Sequence, residues 1–528
     1  MDKLLKNHHN PRKLAYLGMQ ILERLDSSLT ALERIIFLRF LLCYGSARIP
    51  KKDLKMIAER IDIRLPTFKK TVAVLLEKGG LCDVGNGQIR ISTGVLKSAL
   101  TATKIVFRSG VAWSNLKNLL PRVDFLVQLF RLLFQIRISH KQKNANQLLK
   151  LNYQQWLVLL NMVWRSDCHG VVFEASTHEL ANHTGMSRDA LLRAITALFQ
   201  CGLLRSKLNG TLNSNLLHSM SAIYFLNLSH PIWQDERRYA EYYIVRFPSG
   251  YQSICQQAFN ALQSMFEQQN SSTPSSLSNN NIHVLVNEPN HRTYHLAPIH
   301  LVDELAVYVQ WGKHWDPNFL EHLQLLLSTF KNHHTKLNTV SDNVQRMNFL
   351  LHAYLTQKIR NFGQMQEFPA YADYQMLSWF NRHLRKISLS TASQRWIKQQ
   401  RLDSNEVLRA QEEIRNRALF VITWTILNYE LRPVLQPLFD KERVTRRWKA
   451  MDIAWLGNSQ ETEYQIYYSL SRCTEQQHDQ FYLVEFHETQ SSGGGYRIEH
   501  RPVDLKPERQ MSYGLLNDQF LDFNLTAS

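Results

Sequence analysis

The sequence has little that would staple, anchor or energise a protein. Its six cysteines (Cys43, Cys82, Cys168, Cys201, Cys255 and Cys473) are scattered over 528 residues without a single C-x-x-C pair. That argues against a disulfide scaffold or a cysteine-based zinc module and for reduced, mostly buried thiols. Twenty glycines and fifteen prolines exclude collagen-like or proline-rich low complexity. The most apolar stretches, Ile35–Tyr44 and Phe125–Ile136, fall short of the roughly 20 residues that span a bilayer. Each also contains an arginine, Arg39 and Arg131, so no transmembrane helix is expected. The opening MDKLLKNHHNPRKLAY has no apolar core followed by a small-residue cleavage site, so no secretory signal is expected. No G-x-x-x-x-G-K-[ST] loop is present, which leaves autonomous NTP hydrolysis unsupported. These absences point to an intracellular, cytoplasmic protein.

Hydrophobic residues make up 44% and charged residues 20%, enough apolar material for real cores and against wholesale disorder. The charge is unevenly placed. Residues 1–150 carry 27 Lys and Arg against 10 Asp and Glu, and residues 151–528 carry 35 of each sign. The net +17 of the chain therefore lies in its first 150 residues. A basic module of that size fits a polyanion, with nucleic acid the first expectation and an anionic membrane surface the second.

Thr30–Tyr44 reads as a helix, with Thr30 as N-cap, Glu33 completing a capping box and Gly45 as the stop. A second helix at 51–60 carries Leu54, Ile57 and Ala58 on one face. After a break at Ile61–Arg64 comes a third helix, Leu65–Lys78, with Phe68, Val72, Leu75 and Leu76 on its apolar face. Gly85-Asn86-Gly87 then marks a tight hairpin. The order returns further on: a helix at Asn152–Arg165, a short strand, a helix at Thr177–His183, a turn at Thr184–Ser187, and a helix at Arg188–Gln200. Strand, loop and strand follow. A shift of 123 residues places Ile57–Leu81 on Leu180–Leu204 without a gap, carrying Ala58 onto Ala181, Phe68 onto Leu191, Val72 onto Ile195 and Gly79 onto Gly202.

The stretch Ser176–Leu204, S-x-x-E-L-A-x-x-T-G-M-S-R-x-x-L-x-R-A-I-x-x-L-x-x-x-G-L-L, resembles the winged helix-turn-helix of bacterial DNA-binding proteins. Ala181 lets the two helices approach, and Gly185 sits where the turn needs φ > 0. In the first copy Asp62 replaces that glycine, and Asp tolerates the left-handed conformation less well. Two such units in tandem are similar in arrangement to plasmid replication initiators. The resemblance implies two tandem winged-helix domains with small β-hairpin wings; helical periodicity and a turn at Gly493–Gly495 add a largely helical C-terminal region ending in a β-hairpin, for a mainly α fold. The expected divisions are 1–100 and 151–232 for the winged helices, 101–150 for a basic helical connector, and 233–268 for a strand-helix extension. A Ser/Asn-rich linker at 269–281, a helical domain at 282–450 and a hairpin-containing region at 451–528 complete the chain.

On that resemblance the third helix of each unit enters a major groove of double-stranded DNA. The first unit would offer Arg64, Thr67, Lys69 and Lys70, with Lys51 and Lys52 for phosphates. The second would offer Ser187, Arg188, Arg193 and Thr196, with Arg205 and Lys207 on the following strand. Lys70 and Arg193 are equivalent under the shift. Charge assigns the phosphate grip to the first unit and its connector, and the motif assigns sequence reading to the second. The implied function is an origin binder of the replication-initiator kind or a transcription regulator. The alternative is a non-catalytic adaptor subunit of a DNA-handling or defence complex whose winged helices dock proteins. No cofactor or metal is expected. The basic amphipathic segment Arg122–Lys143 reads as a connecting helix that packs Phe125, Leu126, Leu129, Leu132 and Leu133 on a neighbour.

Residues 300–450 read as helical, with homo-oligomerisation or partner docking as their expected role, and Trp311, Trp315, Trp379, Trp396 and Trp424 as core rather than base-stacking residues. His291, His295 and His300 lie between Pro289 and Pro298 or just beyond, which favours a His-rich surface over a metal site. Asp452 with Glu485-Phe486-His487 is similar to carboxylate-based nuclease sites, although His487 stands where a lysine is expected; a nuclease is the minor alternative to a non-enzyme.

Overall fold

The structure is a computed structural model. It describes residues 11–45, 47–107, 122–133, 151–166, 170–172, 175–208, 221–248, 389, 391–425, 451–456, 464–474, 477–489, 495–512 and 515–516. These are mainly helical with small antiparallel sheets, and they divide into two compact units. One comprises residues 1–208, 221–239 and 516–528, the other residues 209–220 and 240–515. The linker at 269–281, the histidine cluster at 291–300 and residues 300–388 of the stretch read as helical lie outside the described residues.

The first unit opens with helices α1 (Pro11–Arg24) and α2 (Ala31–Tyr44). The capping box of α2 is as the sequence spells it: the Thr30 hydroxyl accepts from the Glu33 N–H (3.4 Å) and the Glu33 carboxylate accepts from the Thr30 N–H (2.8 Å). Strand β1 (Ile49–Pro50), a 3-10 turn (Lys51–Asp53), α3 (Leu54–Arg60), α4 (Leu65–Glu77), β2 (Leu81–Gly85) and β3 (Gln88–Ile91) follow. The β2–β3 turn has φ of 51° at Asn86 and 69° at Gly87, the two positive values that a two-residue hairpin loop of this hand needs. Helices α5 (Thr93–Phe107) and α6 (Val123–Leu132) lead to the second copy. It contains α7 (Tyr153–Arg165), β4 (Val171–Val172), α8 (Thr177–Thr184), α9 (Arg188–Gln200), β5 (Leu204–Leu208) and β6 (Ile223–Leu226).

The two copies share more than their order of elements. The first sheet runs β1-β3-β2 and the second β4-β6-β5, both antiparallel, with the last strand in the middle. Helix α9 and strand β5 begin and end 123 residues after α4 and β2. The Ile63 N–H donates to the Ala58 carbonyl (2.9 Å), and the Met186 N–H donates to that of Ala181 (3.2 Å). Asp62 takes φ 57° where Gly185 takes 66°, so the poorer turn residue adopts the same left-handed conformation.

One apolar core runs through both copies, from Leu14 to Trp233. At its centre lies α2, whose Ile35, Ile36, Phe37, Leu38, Phe40 and Leu41 are all buried. Arg34 and Arg39 are buried there too, at 1% and 0% exposure. Their charges are met by backbone carbonyls. Arg34 donates to Leu29 O (3.1 Å), Leu22 O (3.2 Å), Asp26 O (2.7 Å) and Asn182 O (3.3 Å). Arg39 donates to Ile61 O (2.8 Å) and Leu133 O (3.0 Å). Leu22, Ile61, Leu133 and Asn182 stand at the C-terminal ends of α1, α3, α6 and α8, where carbonyls lack helical partners and the helix dipole is negative. Burial lowers both guanidinium pKa values to about 10, which leaves them charged at neutral pH. A single helix thus gathers the ends of four others, two of them the helices that precede the turns of the two copies.

Helix α6 packs as the sequence reading expects: Phe125, Leu126, Leu129, Leu132 and Leu133 are all buried. Phe125 meets Trp233 edge-on at 5.0 Å, and Asp124 pairs with Arg12 of α1. Gly18 of α1 lies so close to Phe130 that a Cβ there would come within 2.7 Å of the ring. No described helix is long and apolar enough to cross a membrane.

The second unit contains more sheet than the sequence reading expects. Strands β10 (Gln480–Thr489) and β11 (Gly495–Val503) form the anticipated hairpin, but they are one side of a five-stranded sheet. Its order is β11-β10-β7-β9-β8, with β7 at Tyr239–Pro248, β8 at Met451–Leu456 and β9 at Tyr464–Thr474. β7 pairs in parallel with β10, stacking Tyr242 on Phe481 and Tyr243 on Tyr482 with ring centroids about 5 Å apart. Helices α10 (Thr391–Gln400), α11 (Ser404–Thr425) and α12 (Pro507–Ser512) complete what is described; α10 and α11 fall within the stretch 300–450 that reads as helical.

Candidate nucleic-acid interface

Each copy presents the outer face of its third helix. On α4 the buried positions are Phe68, Thr71, Val72 and Leu75, leaving Arg64, Lys69, Lys70 and Ala73 exposed and Thr67 half-buried. On α9 the buried positions are Leu191, Ala194, Ile195, Leu198 and Phe199; Arg188, Asp189, Leu192 and Arg193 are exposed and Thr196 is half-buried. The faces follow from the 3.6-residue period: apolar side chains pack inward and the remainder project outward.

Their chemistry differs. From Arg64 to Lys78 the first face has four cations and one acid, Glu77, at its far end. From Ser187 to Cys201 the second has two cations and one acid, Asp189. Lys70 and Arg193 keep the same charge at the same turn of the helix. Lys69, by contrast, is matched by Leu192, which is 42% exposed.

The other expected contacts are partly committed to structure. Lys51, in the 3-10 turn, pairs with Asp83 of β2 at 2.5 Å, ties the turn to the hairpin and holds the Asp83 carboxyl below the usual range. Both groups are solvent-exposed, where such a pair is screened by water and salt, so the ammonium remains available to a phosphate. Lys52 is exposed beside it. The Ser187 hydroxyl caps α9, accepting from the Ala190 N–H at 3.4 Å, while Arg64 occupies the matching N-cap of α4 without a side-chain cap. Arg205 is half-buried with its guanidinium 5.1 Å over the Phe225 ring, and Lys207 two residues on is exposed. Sequence reasoning passed over Lys55 and Arg60, both exposed on α3; the same helical period that exposes Lys51 and Lys52 was the available signal.

No protein-family model and no curated protein matches the chain. The geometry of the site has to carry the functional reading.

The turn between α8 and α9 has a second occupation. A Cβ on Gly185 would lie 1.9 Å from the Leu29 carbonyl oxygen and 3.0 Å from Thr30, so this turn rests directly on the start of α2. Arg34 reaches the same place through Asn182. Nearby, burial and the neighbouring Arg165 push the His183 pKa down, favouring a neutral ring.

The carboxylates read as a nuclease-like pair are not brought together. Asp452 lies on β8 and Glu485 on β10, with β7 and β9 between them, a lateral separation of about 14 Å at the usual strand spacing. Glu485 is instead engaged by Arg501 of β11, with Nε 3.2 Å from Oε2 and Nη2 3.4 Å from Oε1. Among the described residues no three His, Cys, Asp or Glu side chains group as a metal site would require. Cys43, Cys82 and Cys201 form no disulfide among the described residues, and each is half-buried rather than fully enclosed.

Proposed function

We propose that the chain binds double-stranded DNA through two tandem winged helices within residues 1–232. It would act as an origin binder of the replication-initiator kind or as a transcription regulator, with its second unit serving oligomerisation or docking. The observation that carries this is the double occurrence of one topology, helix-strand-helix-turn-helix-hairpin with the last strand central, with the third helix and the strand after it repeated 123 residues on and both third helices outward-facing. The cations at matched positions, Lys70 and Arg193, and the concentration of positive charge in residues 1–150 support the same reading. In it α4, Lys51 and Lys52 grip phosphates, and α9 meets base edges.

A titration of full-length protein against random and genomic duplexes over a salt series tests it. Phosphate contacts predict a steep fall of affinity with salt, by about 0.9 in log–log slope per contact, together with a sequence-selective fraction. The double variant Lys70→Glu/Arg193→Glu is expected to lose most duplex affinity; unchanged affinity would sink the reading. One observation favours the adaptor alternative: the α8–α9 turn already makes a protein contact, at Leu29 and Thr30. Weak binding without selectivity in the same titration would support that alternative.

A further inference from the structure

The outer line along α9, read every fourth residue, is Arg188, Leu192, Thr196 and Gln200, exposed at all but the half-buried Thr196. Leu192 sits at its centre, flanked on the same outward surface by Asp189 and Arg193. Among the described residues only Met56, Leu192 and Met511 are both large and exposed, and of these only Leu192 lies on a third helix. The inward wedge of the helix is filled by Leu191, Ile195 and Leu198, and Leu192 stands on the opposite, outward face.

The major groove offers one apolar feature, the C5-methyl of thymine, and apolar side chains on groove-entering helices are its usual partners. We infer that Leu192 is a specificity-determining residue that packs on a thymine methyl, with Arg193 beside it on backbone or guanine. The inference rests on the DNA-binding reading above and deepens it: α9 reads a site containing an obligatory thymine, whereas α4, with Lys69 at the matched position, makes no such demand. The step from a lysine to a leucine at one position separates a gripping helix from a reading one.

The test uses duplexes that the full-length protein enriches from a random-sequence library, with each thymine replaced in turn by deoxyuridine. Removing the methyl from the contacted thymine should weaken the wild type about four-fold, the weight of one buried methyl at about 0.8 kcal/mol. Leu192→Ala should bind the thymine and uracil duplexes equally. Leu192→Lys, which copies the first helix, should also lose the discrimination and steepen the salt slope by about 0.9. Position 192 is solvent-facing, and a melting curve for each variant checks that the fold is kept. If no uracil substitution weakens the wild type, or if Leu192→Ala keeps the penalty, the thymine contact is overturned while DNA binding stands. If nothing is enriched and the salt slope is flat, the DNA-binding reading itself fails. If Leu192→Lys dissociates an oligomer in light scattering and leaves thymine discrimination intact, Leu192 is a protein contact instead.

Discussion

Gly185 and Asp62 occupy matched turns with nearly the same φ, 66° and 57°, but Asp62 already carries a Cβ there, whereas a Cβ added at Gly185 would meet main chain. Alanine at either position must enter the left-handed region, at a cost of about 1 to 2 kcal/mol relative to a relaxed backbone. At 62 the native aspartate already bears part of that strain, so Asp62→Ala should cost about 1 kcal/mol or less. At 185 the new Cβ would also stand 1.9 Å from the Leu29 oxygen, a main-chain atom that cannot rotate away. The turn has to withdraw from α2, and the first bond lost is Arg34 Nη2 to Asn182 O, now 3.3 Å. A hydrogen bond to a charged donor contributes about 1.5 to 3 kcal/mol, so Gly185→Ala should cost about 3 to 5 kcal/mol in all. That is a large share of a typical domain's stability. Because the chain has two compact units, the assay is hydrogen–deuterium exchange in peptides covering Ala31–Tyr44 and Thr177–Gln200, with a urea midpoint alongside. Deprotection should appear in both peptides. A Gly185→Ala effect no larger than that of Asp62→Ala would show that the turn does not rest on α2 and would refute the reasoning.

Two further perturbations probe the same unit. Arg39→Met should destabilise by about 2 to 4 kcal/mol in chemical denaturation, because the Ile61 and Leu133 carbonyls stay buried after their donor is gone; a neutral or stabilising result would mean that water or a neighbour replaces it. Burial lowers the His230 pKa to about 4 from 6.5, with its Nδ1 accepting from the Ile232 N–H and Nε2 facing the Cys201 carbonyl. Above pH 6.5 both folded and unfolded forms are neutral and the residue adds no pH dependence; below it only the unfolded chain takes up the proton. Stability should therefore fall by up to about 1.4 kcal/mol per pH unit from pH 6.5 down to about 4. The fall should be shallower in His230→Gln, and equal slopes for the two proteins would exclude His230 as the source.

Local structure was legible wherever the signal was local. The Thr30–Glu33 box, the Asn86-Gly87 turn and the periodic faces of α4 and α9 each depend on residues within a few positions, and each stands where the spacing puts it. The five-stranded sheet was not legible, because β7 pairs with a strand some 240 residues later and nothing in either segment names its partner. For the same reason the Asp452–Glu485 pairing failed: strand spacing in the sequence says nothing about which strands lie between.

The arginines of α2 show a subtler limit. In sequence Arg39 interrupts an apolar run and argues against a membrane span, which holds as far as it goes. Its structural use depends on carbonyls from α3 and α6 that no local pattern reveals. The same holds for the site. Charge counting places the basic surplus in residues 1–150, yet part of that surplus, Arg34 and Arg39, is consumed in the core and cannot face a polyanion. What remains outward from Arg64 to Lys78 and on the 3-10 turn is a short list, Lys51, Lys52, Arg64, Lys69, Lys70 and Lys78, and Lys51 is shared with Asp83. A charge map read from sequence overstates the grip wherever arginines close helix ends, and the exposed remainder is the quantity that a salt slope would measure.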